Sequence, residues 1–585
     1  MNRNQESANR RELLELRNGL SDRNMVGGFT PEDPITVRKK LSKAENQMDM
    51  ELTEDALLLE LHALAAAVHD QAGEYDTVRV FLDRWAHVIQ SEVAGFLQKE
   101  TRMEFPRHPA EKAHFLLQAG IAEYRTSTFD TARVYLEGAN GLYGELLKKT
   151  GLVLQQKLAI TNMLALCCYW FGCVETYANK FDDAEKYFVK GLRLAADVSS
   201  AVLPDLKQAN FAKYNTGRLL LGLGLLHYHK GSLVPANASL LAAKIFLQED
   251  SQDRPRQLRA DMLLFSVQRM EYAGDPDKEP QFRNLIEKLK VLANELEGIH
   301  PRYFLRAQST IARVQVDLAD LYKARAEQPR MDESKRAIAL RQNEEALKAA
   351  RKIFEEQRIQ AYASVNDKLQ LDVVKIRTLR RLGEYDEAIA CGLTTVKWPK
   401  TRDHSLIYTE ILFALGHAYY DRWKKAANRD DLENAQKYIT LAGEAGEENP
   451  RAKAVCCLHL ARIAHAQGFK GEMQKQLNEW EKVSQVIKLE WIKRLAEKVQ
   501  KGIRSDDSIV FSLEDLPDKN IYDIFEARLK EFLLTRVVSD MPIEDAINKL
   551  GISKQTYYNW KEKNPDRRKK RMQVTAEGGG AAPET

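Results

Sequence analysis

Apolar residues recur at i, i+3, i+4 and i+7 through almost every segment from about residue 50 to residue 500. That spacing makes one apolar stripe on an α-helix and predicts a long succession of amphipathic helices. A polar leader, residues 1–28, precedes them and ends at Gly27-Gly28; Thr30-Pro31-Glu32 then reads as a helix start. The pattern breaks at 501–519, where charge, serine and one proline predict a linker. A further helix follows over Asn520–Val538, with Ile521, Ile524, Phe525, Leu529, Phe532 and Leu533 on one face. The end of the chain, 573–585, is glycine-rich and reads as a disordered tail.

Within the helical tract one local pattern returns. A short turn leads to an aromatic or large apolar residue, with a small residue three positions on: Gly73-Glu74-Tyr75 to Val78, Ser127-Thr128-Phe129 to Ala132, Asn179-Lys180-Phe181 to Ala184, Gly231-Ser232-Leu233 to Ala236, and Gly383-Glu384-Tyr385 to Ala388. Gly120, Gly172 and Gly224 stand upstream at intervals of 52, as do Ala132, Ala184 and Ala236. The tract resembles the tetratricopeptide repeat, Asn179–Leu192 and Gly383–Leu393 most closely. Its period departs from the usual ~34 residues, which implies longer helices or loops. The resemblance implies about eight antiparallel pairs stacked over 29–500, and a concave face that holds a peptide, protein or small molecule. Arg218, His227, His229, Tyr419, Tyr420 and Arg422 are candidate contributors to that face, though an inter-helix role fits each of them as well. The stretch 250–350 reads as more irregular, with loops at Gly274-Asp275-Pro276 and Gln328-Pro329-Arg330.

Residues 542–563 carry the one specific chemical suggestion in the chain. Pro542 suits a helix start, Glu544 and Asp545 favour its dipole, and Ala546 and Leu550 share a face. Gly551 suits the left-handed exit, and Ser553 caps a second helix. Tyr557 and Trp560 then face inward. The segment resembles the helix-turn-helix of insertion-sequence transposases and small terminase subunits, and more loosely Fis-type modules. The expected domain is 520–572. The resemblance implies duplex DNA as partner, with Lys554, Gln555, Thr556 and Asn559 on base edges. Ser553, Tyr558, Lys561 and Lys563 would meet phosphates, and Arg567, Arg568, Lys569, Lys570 and Arg571 would follow the backbone or enter a minor groove.

Charge sharpens this picture. The whole chain carries +4, but Gly551–Met572 holds eight basic residues against two acidic ones. That segment is +6 and the remainder −2, so a nearly neutral body ends in a basic segment. Six cysteines form no CxxC pair and lie in apolar helical runs, as expected of free thiols in a reducing cytoplasm. The N-terminus lacks the apolar core of a signal peptide, and the longest apolar stretch, around Leu219–His227, is short for a membrane span. No phosphate-binding loop, dinucleotide fingerprint, H-E-x-x-H or nucleophile elbow occurs, so no catalytic residue, cofactor or metal is expected. The carboxylates read as exposed i, i+4 partners.

The expected fold is therefore all-α: a superhelical solenoid of tetratricopeptide-like pairs followed by a small helix-turn-helix domain. The first functional expectation is a cytoplasmic DNA-binding regulator whose solenoid senses a partner. The alternative is a non-enzymatic scaffold that assembles proteins, with the C-terminal helices as a cap or docking module. RNA binding is disfavoured, because neither an aromatic strand motif nor a GXXG loop is present.

Overall fold

The computed structural model describes most of residues 109–485, with shorter stretches inside 11–18, 35–41, 60–68 and 489–500, isolated positions such as Val78, and 542–550 and 553–562. The residues 73–75, the linker 501–519, the helix expected at 520–538, Lys563, Arg567 to Arg571 and the tail 573–585 lie outside the described residues. The chain divides into two units, Met1–Arg494 and Leu495–Thr585.

The first unit is built from helices paired in sequence. In order these are α1 (Pro109–Thr126) with α2 (Phe129–Lys148), α3 (Leu154–Tyr177) with α4 (Phe181–Ser200), and α5 (Leu206–Lys230) with α6 (Leu233–Gln248). Next come α7 (Arg254–Tyr272) with α8 (Glu279–Glu297), α9 (Pro301–Ala326) with α10 (Glu333–Glu355), and α11 (Val365–Leu382) with α12 (Tyr385–Lys397). The last are α13 (Ser405–Ala426) with α14 (Arg429–Ala445) and α15 (Pro450–Ala466) with α16 (Lys470–Ser484). Eight tetratricopeptide-like pairs are thus present among the described residues. The long period comes from long helices: α3 has 24 residues and α5 has 25.

The repeated turn is a helix cap. Asn179, Gly231, Gly383 and Gly468 all adopt positive φ, between 64° and 84°. The next residue's N–H returns to a carbonyl five positions back: Lys180 to Glu175, Ser232 to His227, Glu384 to Leu379 and Phe469 to Ala464. This left-handed exit satisfies orphan carbonyls and turns the chain back on itself. The recurrent alanine then makes the first hydrogen bond of the second helix; Ala132, Ala184, Ala236 and Ala388 are wholly buried.

The upstream glycines explain the other half of the pattern. A Cβ on Gly120 would lie 2.7 Å from Leu136, one on Gly172 2.5 Å from Phe188, and one on Gly224 2.6 Å from Leu240. Gly416 repeats the arrangement with Ile439 and the Ala435 carbonyl, although seven more residues separate them than in the earlier pairs. In each pair the first helix presents a bare backbone to a large side chain of the second, which permits close approach.

The stretch 250–350 is as regular as the rest. The pairs α7/α8 and α9/α10 occupy it, joined in the first case by Gly274 at φ 75° and a short turn over Pro276–Lys278 capped by Asp275. It looked irregular because its interface uses Phe282, Leu285, Leu289 and Tyr303 in place of the glycine–alanine signature.

The first helices of the pairs form an inner layer and the second helices an outer one. Helix α3 is buried nearly all round its lower half, whereas α4 buries only a stripe: Phe181, Ala184, Phe188, Gly191, Ala195 and Val198. By length and composition α3 is the one described helix able to cross a membrane, and most of it is covered by protein. This corrects the sequence reading, which placed the longest apolar stretch later; α3 hides its length because cysteines and aromatics interrupt its aliphatic run.

The layer also returns on itself. Helix α1 packs on α11, α3 on α13 and α5 on α15, each an offset of five pairs. Asn179 donates from Nδ2 to the Ala445 carbonyl at 3.0 Å, and the Phe129 ring meets the edge of His404 at 4.4 Å. Arg494 donates to the Gly274 carbonyl at 2.8 Å. The superhelix thus comes round after five pairs, and its later turn seats on the loops of its earlier one.

Candidate functional site

In the second unit, α17 (Ile543–Leu550) and α18 (Lys554–Glu562) stand where the sequence placed two short helices. Ser553 caps α18: the Thr556 N–H donates to its Oγ at 3.1 Å, and the two hydroxyls are 2.8 Å apart. Tyr557 is buried, as expected of an inward residue. Ser553, Lys554, Gln555 and Tyr558 are exposed and Thr556 is half-buried. Asn559 and Lys561 belong to the helix, but their side chains, with those of Ala546, Leu550 and Trp560, lie outside the described residues.

In the first unit the polar chemistry is concentrated on the inner helices, where the sequence pattern suggested ordinary exposed charge. Arg302 and Arg306, one turn apart on α9, both donate through Nε to Asp367 of α11, at 3.1 and 2.8 Å, and all three are buried. Arg269 of α7 donates to Asp317 of α9 at 2.8 Å and to the Tyr228 hydroxyl of α5 at 3.1 Å. Arg380 of α11 reaches Asp421 of α13 at 3.0 Å, and Arg381 forks onto Asp320 of α9. Glu410 of α13 lies among Arg451 of α15 at 3.4 Å, Arg313 of α9 at 3.7 Å and Arg377 of α11 at 3.9 Å. Burial alone would push its carboxyl up, but the three guanidiniums outweigh burial and hold it at about 2. From α5 to α15 each step between inner helices is therefore bridged by arginine. The expectation of exposed i, i+4 carboxylates holds only on outer faces, as for Glu345 with Arg341.

A second cluster lies where α1, α3, α7 and α9 meet. Arg259 points one guanidinium nitrogen at the hydroxyls of Tyr169 and Tyr303, 3.5 Å from each. His300 stacks on Tyr303 at 4.0 Å, and the Arg125 guanidinium sits 4.8 Å over Trp170. Burial raises the Tyr303 phenol, yet Arg259, Arg256, Arg125 and Arg302 together bring it down to about 8.

The named candidates for a concave face divide accordingly. Arg218 stacks on Tyr214 and donates to its hydroxyl at 2.7 Å, and His229 is packed against Tyr177 and Tyr228, both on the inner side. Tyr419 instead stacks on Tyr438 of α14, Tyr420 meets Arg462, and Arg422 pairs with Asp431 and Asp386. Those three are inter-helix residues, and His227 is half-buried near Glu185 and Lys230. Among the described residues no group of three or more His, Cys, Asp or Glu gathers to hold a metal. All six cysteines are free, and burial pushes Cys168 and Cys391 up to about 11, which leaves them unreactive.

One surface feature had no sequence forecast. On α6, Val234, Ala238, Leu241 and Ile245 recur at i, i+4, i+7 and i+11 and all face solvent; the three large ones are 80%, 47% and 60% exposed. The apolar composition of Leu233–Leu247 was the available signal. Composition alone does not reveal the stripe, because an apolar outer helix and a core helix look alike until the covered face is known.

No protein-family model matches the chain, and no curated protein matches it. Among solved structures it is similar to one titled as a crystal structure of a Rap protein complexed with competence and sporulation factor. That likeness has 12% identity and a TM-score of 0.35, over 85% of this chain and 99% of the other.

Proposed function

We propose that this protein is a non-enzymatic helical-repeat scaffold that binds a protein partner on its solenoid. The observation that carries the reading is the α6 stripe. A helix on the outer layer of a repeat array ordinarily turns polar residues to water. Here four apolar side chains in helical register are left bare, and a contiguous exposed apolar face marks an interaction site. The inner arginine bridges support it from the other side, since they fix the superhelix and give the outer face a rigid geometry. A protein segment presenting its own apolar helix face fits such a stripe.

The test is site-specific crosslinking. A photoreactive residue at Leu241 is expected to capture a defined partner, and one at the exposed Lys186 of α4 is not. With that partner purified, Leu241→Glu should weaken binding at least ~10-fold, about 1.4 kcal/mol. Equal capture from both positions, or unchanged affinity in the variant, removes α6 as the binding face.

A second reading, duplex DNA binding by the C-terminal unit, is favoured by one observation: Lys554 and Gln555 stand exposed at the start of a helix that Ser553 caps. That is where base-contacting side chains of a recognition helix lie. Selection from random duplexes, repeated with Lys554→Ala plus Gln555→Ala, tests it. Loss of an enriched motif in the double variant supports direct readout, and absence of any salt-sensitive binding by the full chain ends the reading.

A further inference from the structure

The cluster between α1, α7 and α9 contains more guanidinium donors than its own acceptors use. Arg306 directs Nε to Asp367, but its Nη2 is buried without a hydrogen-bond partner. Arg259 has a buried Nε with no partner, and its other contacts are two phenols at the 3.5 Å limit. Both side chains are more than nine-tenths buried. A buried charged donor left unsatisfied is costly, so its persistence calls for a reason.

The surroundings give the sign of that reason. Arg125, Arg256, Arg259 and Arg302, from three helices, all act on the single Tyr303 phenol, so they gather within Coulomb reach of one point. Arg125, Arg256 and Arg302 likewise oppose protonation of His300, on top of its burial, and the imidazole is neutral. Arg306 joins Arg125 at Tyr124. The potential here is positive, although Asp367 is present and binds two of the arginines. Arg125, Arg256 and His300, at the margin of the cluster, are half-buried. The neighbouring cage shows what such a setting accepts, since three arginines there enclose the Glu410 carboxylate.

We propose that the Arg259–Arg306–Tyr303 cluster is a binding site for a small, multiply charged oxyanion. Arg259 Nε and Arg306 Nη2 would donate to its oxygens, and the Tyr303 hydroxyl would add a third donor. Guanidinium forks match phosphate and carboxylate oxygens equally well, so the shared chemistry is an oxyanion with at least two negative charges.

The experiment uses the full chain with pyrophosphate and citrate as probes and chloride at matched ionic strength as control. Thermal unfolding reports binding. A pH titration of phenolate absorbance near 295 nm reports Tyr303, because an anion beside the phenol disfavours its ionisation. Either probe should raise the melting temperature at low millimolar concentration and move one phenol's midpoint upward by about a pH unit. A response to pyrophosphate alone assigns a phosphate ligand, and a response to citrate alone a carboxylate one. Arg259→Gln should abolish the stabilisation. If that variant fails to fold, Tyr303→Phe serves: it should weaken the stabilisation, through loss of one donor, and abolish the phenol response. Absence of stabilisation by both probes overturns the proposal, as does stabilisation that persists in Arg259→Gln, or a phenol shift that persists in Tyr303→Phe. None of these outcomes involves α6, so this site and the partner face succeed or fail separately.

Discussion

Replacing Glu410 by glutamine keeps the side chain's shape and removes its charge. The carboxyl is held at about 2, well below its ordinary 4.5, which corresponds to on the order of 3 kcal/mol of preference for the charged form in the fold. Glu410, Arg313 and Arg451 are each less than a fifth exposed and Arg377 about a third, so solvent screening trims this figure only modestly. The variant also leaves three enclosed guanidiniums without their shared counter-charge, a change that costs ~3–5 kcal/mol when one partner of a buried pair is removed. Because the folded value is depressed, the contribution is complete above about pH 4.5 and disappears as pH falls through about 2. The natural chain and Glu410→Gln should therefore differ by a constant amount from pH 6 to 8. With a urea dependence on the order of 3 kcal/mol/M for a body of this size, the midpoint should drop by ~1 M. Amide exchange should speed up in α9, α11, α13 and α15, which the cage ties together, and not in α2 or α4. A midpoint unchanged within ~0.2 M would show that water, not Glu410, balances the arginines.

Other perturbations give separate checks. Burial takes His229 and His404 down to about 3, so both are neutral in the fold and ordinary, near 6.5, once unfolded. Between pH 6.5 and 3 the unfolded chain binds protons that the fold refuses, and each histidine should erode stability by up to ~1.4 kcal/mol per pH unit; His404→Gln should flatten the acid limb of a stability–pH curve, and an identical limb would refute the burial account. Gly172→Val should cost at least ~1–3 kcal/mol by forcing a side chain into Phe188, whereas Gly144→Ala, with nothing within 4 Å, should gain ~0.5–1 kcal/mol; melting curves of the two separate close approach from helix propensity. Ser553→Ala should weaken α18 by ~1 kcal/mol, seen as faster exchange of the Thr556 amide.

The repeat architecture was legible because its two devices are local. A left-handed exit selects asparagine or glycine, and close helix approach selects glycine and alanine, so both leave marks in the sequence at fixed offsets. Ser553 was legible for the same reason. The pairs of 250–350 were harder, because large residues fill their interfaces and many choices fit. The inner arginines were not legible at all. Arg259, Arg306 and Arg377 occupy helical positions that would suit a solvated face. Their partners stand on other pairs, Tyr169 and Tyr303 for Arg259, Asp367 for Arg306 and Glu410 for Arg377, which no local pattern records.

The return of the inner layer on itself changes what kind of polymer the protein is. A linear array passes force and unfolding from each unit to the next, and its ends can fray or be trimmed with little effect elsewhere. Here the wall is wound like a spring whose coils touch. A break at α15 is felt at α5, more than two hundred residues earlier, through Arg451 beside Gly231 and Met270. The outer helices of this unit are thus mounted on inner helices whose spacing is set by contacts remote in sequence.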